Sequence, residues 1–196
     1  MIPLLPAPRQ IAAIIPYYGL AGDSTRIITR DGGIVTLTSR IRTVIRHLAQ
    51  SRVVDLAALK TKARLATARQ NLSPLPLAPE LVLVPLKVRR PRVAGDITTG
   101  YINMYAISAV KANRHRPYQA TLILAGTTEL PVIWTVATVQ RQLALARLAA
   151  AALPPGPAPF TGALREGYAD YAPELLTLAV KLADVFNEIL CMKQRQ

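Results

Sequence analysis

The chain has 196 residues, 51% of them hydrophobic, and carries 24 Lys or Arg against 11 Asp or Glu for a formal net charge of +13. That length suits one core-bearing domain of ordinary size, and Arg147 and Pro154 interrupt the best apolar stretch, which argues against a membrane-spanning segment. With His47, His115 and Cys191 as the sole imidazoles and thiol, metal and disulfide chemistry has almost no ligands, so no cofactor is expected.

The first residues include Pro3, Pro6 and Pro8 without a basic n-region, so a secretory signal is not indicated. Ile11 to Tyr17 is apolar and β-prone. Arg26 to Arg30 and Ile34 to Thr38 flank Asp31-Gly32-Gly33, which reads as a hairpin because glycine supplies the positive φ of a tight reversal. Ser39 then offers an N-cap for a helix with Ile41, Val44, Ile45 and Leu48 on one face and Arg42 and Arg46 on the other. Val53 to Gln70 predicts a second helix, with Asp55 near its positive end.

From Leu72 to Arg92 the prolines Pro74, Pro76, Pro79, Pro85 and Pro91 exclude helix, and the segment reads as extended and edge-like, with a strand over Leu81 to Val84. Tyr101 to Val110 fits a strand or a short helix by pattern, and its aromatic and β-branched content favours strand. Tyr118 to Leu124 and Thr128 to Ile133 read as a second hairpin through Ala125-Gly126-Thr127, followed by a helix over Thr135 to Leu153. Pro154-Pro155-Gly156-Pro157 then marks a boundary. The expected organisation is a domain over residues 1–153, a linker over 154–172 and an amphipathic helix over 173–196. Pro173 suits the first turn of that helix, and Leu175, Ala179, Leu182, Phe186 and Ile189 share one face. That face covers its own domain, or meets a second copy or another protein. Cys191 reads as a buried structural thiol in a reducing cytoplasm. The fold class is α+β, with antiparallel hairpins and helices.

Charge is unevenly placed. Between Arg40 and Arg116 stand fifteen Lys or Arg and three acids, Asp55, Glu80 and Asp96. A polyanion is the partner this implies. Candidate contacts are Arg40, Arg42 and Arg46 on the first helix, Lys60, Lys62 and Arg64 on the second, Lys87, Arg89, Arg90 and Arg92 on the extended piece, and Arg114 and Arg116 in a later turn. The competing reading of each cluster is a solvated face. In Arg90-Pro91-Arg92 the two arginines point the same way on extended backbone with proline holding φ between them, an arrangement similar to minor-groove hook peptides. Phosphate-loop and dinucleotide signatures are missing, and neither histidine has a nucleophile and third partner nearby in sequence, so an enzyme is not expected.

Read with its residues, the order resembles the bacterial competence transcription factor ComK over roughly residues 11–150. The likeness runs through Ile11 to Pro16, Ile27-Ile28-Thr29-Arg30-Asp31-Gly32 and the apolar-basic helix after Ser39. It continues through Leu72-Ser73-Pro74-Leu75-Pro76, Val84-Pro85, Gly100-Tyr101-Ile102, and Thr121-Leu122 to Glu129-Leu130-Pro131 with the helix after Trp134. Where that family has an aromatic followed by Gly-Arg, this chain reads Asp55-Leu56-Ala57-Ala58-Leu59-Lys60. The resemblance implies a cytoplasmic activator of DNA-uptake genes that binds A·T-rich duplex DNA through the minor groove as a homo-oligomer, a dimer or pair of dimers, held in check by a proteolytic adaptor. Its binding residues would fall on Lys60, Arg89, Arg90 and Arg92. The alternative class is an RNA- or ribosome-associated basic protein, which would draw on Tyr17, Tyr18, Tyr101, Tyr105 and Tyr118 for stacking.

Overall fold

The computed structural model describes residues 5–19, 22–68 and 71–151, which lie within the compact unit Met1–Gly156. The expected linker over 154–172, the helix over 173–196 and Cys191 lie outside the described residues. Among those described, the fold is α+β, with antiparallel strands in two sheets and three α-helices.

Strands β1 (Ile11–Gly19), β2 (Gly22–Thr29) and β3 (Ile34–Leu37) form a meander, followed by helices α1 (Ile41–Gln50) and α2 (Leu56–Thr67). Strands β4 (Leu75–Ala78), β5 (Leu81–Lys87) and β6 (Thr99–Asn103) complete a six-stranded sheet of order β3-β2-β1-β6-β5-β4. Strands β7 (Ile107–Ala112), β8 (Ala120–Leu124) and β9 (Glu129–Val132) form a separate three-stranded sheet, and α3 (Val136–Ala151) follows.

The large sheet is apolar on both faces. Along β5, Leu81 and Leu83 join a layer with Ile41, Val44, Ile45 and Leu48 of α1 and Leu59 of α2. The alternate residues Val82, Val84 and Leu86 join a second layer with Leu122, Leu124 and Val132 of the small sheet and Val139, Leu143 and Ala146 of α3. A period of two puts successive side chains on opposite faces, so one strand feeds both layers. Each Leu or Val so buried contributes about 1.5–3 kcal/mol.

Three expectations are corrected. β5 is an interior strand and not edge-like, since β6 and β4 flank it. Its pairing with β4 stops at Leu83, so Pro85 falls where β5 keeps only β6 beside it, which is how an interior strand accommodates the ring. The span expected as one strand from Tyr101 to Val110 is broken by a 3-10 turn at Met104–Ala106, which sends β6 and β7 into different sheets. Fully buried Asn103 holds that corner. Its side-chain NH₂ donates to the Ile11 and Glu80 carbonyls at 3.0 Å, and its Oδ1 accepts from the Tyr105 amide at 3.2 Å. Thirdly, Ser39 does not cap α1. Arg40 occupies the N-cap position, and the Ser39 carbonyl accepts a hydrogen bond from Thr25 Oγ1 at 2.7 Å, tying the helix entry to β2. Asp55 does cap α2, accepting from the amides of Ala57 at 2.8 Å and Ala58 at 3.3 Å.

Both expected hairpins form, as β2/β3 and β8/β9, and their turns abut. A methyl group on Gly126, whose φ is +81°, would lie 2.6 Å from the Arg30 carbonyl oxygen. At Gly22 φ is +101° and no atom lies within 4 Å of that position, so a side chain there meets strain alone. Gly126→Ala should therefore lower unfolding free energy by about 1–3 kcal/mol and by more than Gly22→Ala, measured by urea denaturation. Asn103→Ala should cost about 1–3 kcal/mol in the same assay, because it strands buried carbonyls without a donor.

Candidate nucleic-acid interface

The helix layer positions the cations. Burial of Ile41, Val44, Ile45 and Leu48 orients α1 so that Arg42 and Arg46, four residues apart, share its exposed side. Burial of Leu59 and Ala63 does the same on α2 for Lys60 and Arg64. The two pairs face one cleft of about 480 Å³, walled by these helices and by Asn71, Leu72 and Ser73, and floored by Leu75, Pro85 and Tyr101. Among the described residues, no acid lines it. Among the described residues the two ion pairs are Arg52 with Glu80 and Arg89 with Asp23, so none of the four cleft cations is neutralised by a carboxylate.

Tyr101 sits opposite Pro85 and Ile14 in the sheet, on the face covered by α1 and α2. Burial pushes its phenol above the ordinary value of 10.0, against the opposing pull of the Arg42 charge, so the ring is a neutral floor. Lys87 is exposed and two residues beyond Pro85 on β5, which places it on the same sheet face about 7 Å further along.

The arginine-rich segment connects β5 to β6 and leans on the tip of the β1/β2 hairpin. Tyr18 is its organising ring. The Arg89 guanidinium lies over one side at 3.8 Å from the centroid, and the Arg92 guanidinium lies 4.1 Å from the same centroid. Arg89 pairs with the Asp23 carboxylate, and its Nε donates to the Ile97 carbonyl at 2.9 Å. The Tyr18 hydroxyl donates to Asp96 and accepts from the Arg92 amide at 3.1 Å. Asp96 Oδ2 also accepts from the amides of Arg92 at 2.8 Å and Val93 at 3.1 Å. The Tyr18 hydrogen bond, then those amides, hold the Asp96 carboxyl below its ordinary value of 3.8. Packing, followed by the bond to Asp96, raises the Tyr18 phenol above 10.0.

The expected contacts therefore divide. Arg42, Arg46, Lys60 and Arg64 are brought together in the cleft, and Lys87 lies beside it. Arg90 and Arg92 are exposed on the connecting loop. Arg89 is engaged internally, with its side chain 11% exposed, and anchors the loop. Arg40 is exposed at the start of α1 and is not part of the cleft lining. Lys62 is exposed elsewhere on α2, about 200° around the helix from Lys60. Arg114 and Arg116 are exposed in the β7–β8 turn of the other sheet.

No protein-family model matches the chain, and no match was found to a curated protein or to a solved structure. The site therefore rests on its own geometry.

From sequence, Tyr18 is expected only as a stacking ring for RNA, and neither it nor Asp23 or Asp96 is expected to hold the arginine loop. The available signal was Gly95-Asp96, a turn-prone pair four residues after Arg92. Because Asp96 is lowered in the folded protein, its bonds stabilise the loop above the ordinary carboxylate value, and that support is lost as pH falls through the lower folded-state value. Hydrogen exchange should show the Arg92 and Val93 amides losing protection on acidification over that range. Asp96→Asn should remove the acid dependence and leave these amides less protected at neutral pH.

Proposed function

We propose that the chain is a ComK-like DNA-binding transcription regulator that activates competence and DNA-uptake genes, acting in the cytoplasm through binding and not catalysis. The observation that carries the reading is the cleft, where Arg42, Arg46, Lys60 and Arg64 from two helices converge with no carboxylate among the described residues to neutralise them. Guanidinium groups grip phosphate through paired hydrogen bonds. The cleft and Lys87 hold the backbone of an A·T-rich duplex, and Arg90 and Arg92 enter its narrow minor groove, where the negative potential is strongest.

Magnitudes separate the two roles among the arginines. An exposed cation-π contact such as that of Arg92 with Tyr18 is worth roughly 0.5–1 kcal/mol, which a DNA contact readily replaces. Breaking a largely buried pair such as Arg89 with Asp23 costs about 3–5 kcal/mol, so Arg89 stays and fixes the loop. The chain acts as a homo-oligomer, a dimer or pair of dimers, since two hooks on one duplex multiply a modest single contact, and a proteolytic adaptor limits its amount.

A second reading, RNA binding, is favoured by one feature, the Tyr101 ring on the floor of the basic cleft, where an unpaired base can stack. Fluorescence anisotropy with A·T-rich duplex, G·C-rich duplex and single-stranded RNA separates the two. If about six to ten phosphates are neutralised, duplex affinity falls roughly 10³ to 10⁵-fold between 50 and 200 mM salt. Arg90→Ala with Arg92→Ala should remove the A·T preference, and Arg42→Ala with Arg64→Ala should weaken all duplexes alike. Salt-independent binding, or tighter binding of RNA than of either duplex, overturns the DNA reading.

A further inference from the structure

Besides a duplex backbone, the cleft has the volume and charge to take a compact polyanion. A nucleic-acid backbone carries a single charge per phosphate and passes along a surface, whereas here two guanidinium groups on α1 and a guanidinium and an ammonium on α2 surround one cavity of about 480 Å³. That volume lies within the roughly 300–1,000 Å³ of small-ligand sites. Its chemistry is two-sided. The four cations form the helical walls, and the floor is the neutral ring of Tyr101 beside Pro85. Asn71 adds an amide that both donates and accepts.

We propose that this cleft binds a nucleoside 5′-polyphosphate, with the phosphates among Arg42, Arg46, Lys60 and Arg64 and the base over Tyr101. The charge of a triphosphate, about −4 when fully ionised, is met by four cations that no carboxylate neutralises among the described residues. The aromatic floor recognises a π-face, which inorganic polyphosphate lacks. The proposal rests on the reading of the cleft as an anion site, and is independent of whether the macromolecular ligand is DNA.

Isothermal titration calorimetry of the full chain with ATP, inorganic triphosphate and adenosine tests it, at one fixed ionic strength. ATP should bind with one site, more tightly than either fragment. Arg46→Gln with Lys60→Gln should weaken ATP at least about tenfold, whereas Lys111→Gln with Arg141→Gln, an equal loss of charge outside the cleft, should leave it unchanged. Tyr101→Leu keeps an apolar floor without the π-face and should weaken ATP but not triphosphate. Circular dichroism confirms that each variant is folded before titration. Absence of ATP binding, equal affinity for ATP and triphosphate, or equal weakening by the two double variants overturns the proposal. Duplex binding without ATP binding would remove this site and keep the DNA reading, and ATP binding without duplex binding would do the reverse.

Discussion

The structure depends on a sheet that cannot leave either face in water. β5 sends Leu81 and Leu83 to one side and Val82, Val84 and Leu86 to the other, all buried. Two covers are therefore required, and the chain supplies unlike ones. α1 and α2 cover the first face, and the small sheet with α3 covers the second. The corner at Asn103 makes this possible, because it ends β6 and starts β7 on a new sheet while satisfying the carbonyls that a broken strand exposes.

The cleft is a consequence of that covering. A helix that buries an apolar stripe must present its opposite face, and on both α1 and α2 cations spaced four apart project beside that stripe. Their charges repel one another, yet they lie at the rim where water screens them, so the cost to folding is small. A polyanion entering the cleft removes the repulsion, which is one reason such an arrangement favours an anionic ligand. The loop beyond β5 is built differently. There Tyr18, Asp23 and Asp96 fix the backbone and absorb one arginine, leaving Arg90 and Arg92 outward.

Much of the local structure was readable. The glycine turns at Gly32 and Gly126 mark their hairpins, the apolar spacing of Ile41 to Leu48 marks α1, and Asp55 marks the start of α2. Reading Pro85 as an edge signal failed because a proline constrains only the hydrogen bonds at its own position. β4 ends before reaching it, so the rest of β5 remains free to pair on both sides. The sheet change at Asn103 was not readable, since its cause is the position of carbonyls from Ile11 and Glu80, far away in the chain.

The sequence by itself determined the α+β character, the principal helices and turns, and the concentration of positive charge between Arg40 and Arg116. These follow from spacing and composition, which act over a few residues. Only the tertiary structure decided which of those charges meet. Arg42, Arg46, Lys60 and Arg64 share a cleft, while Lys62 a short step along the same helix does not, and Arg89 becomes an anchor where its neighbour Arg90 stays exposed. The reason is that a cation's role depends on what stands opposite it. For Arg89 that is Asp23 and Tyr18, contributed by a hairpin more than sixty residues earlier.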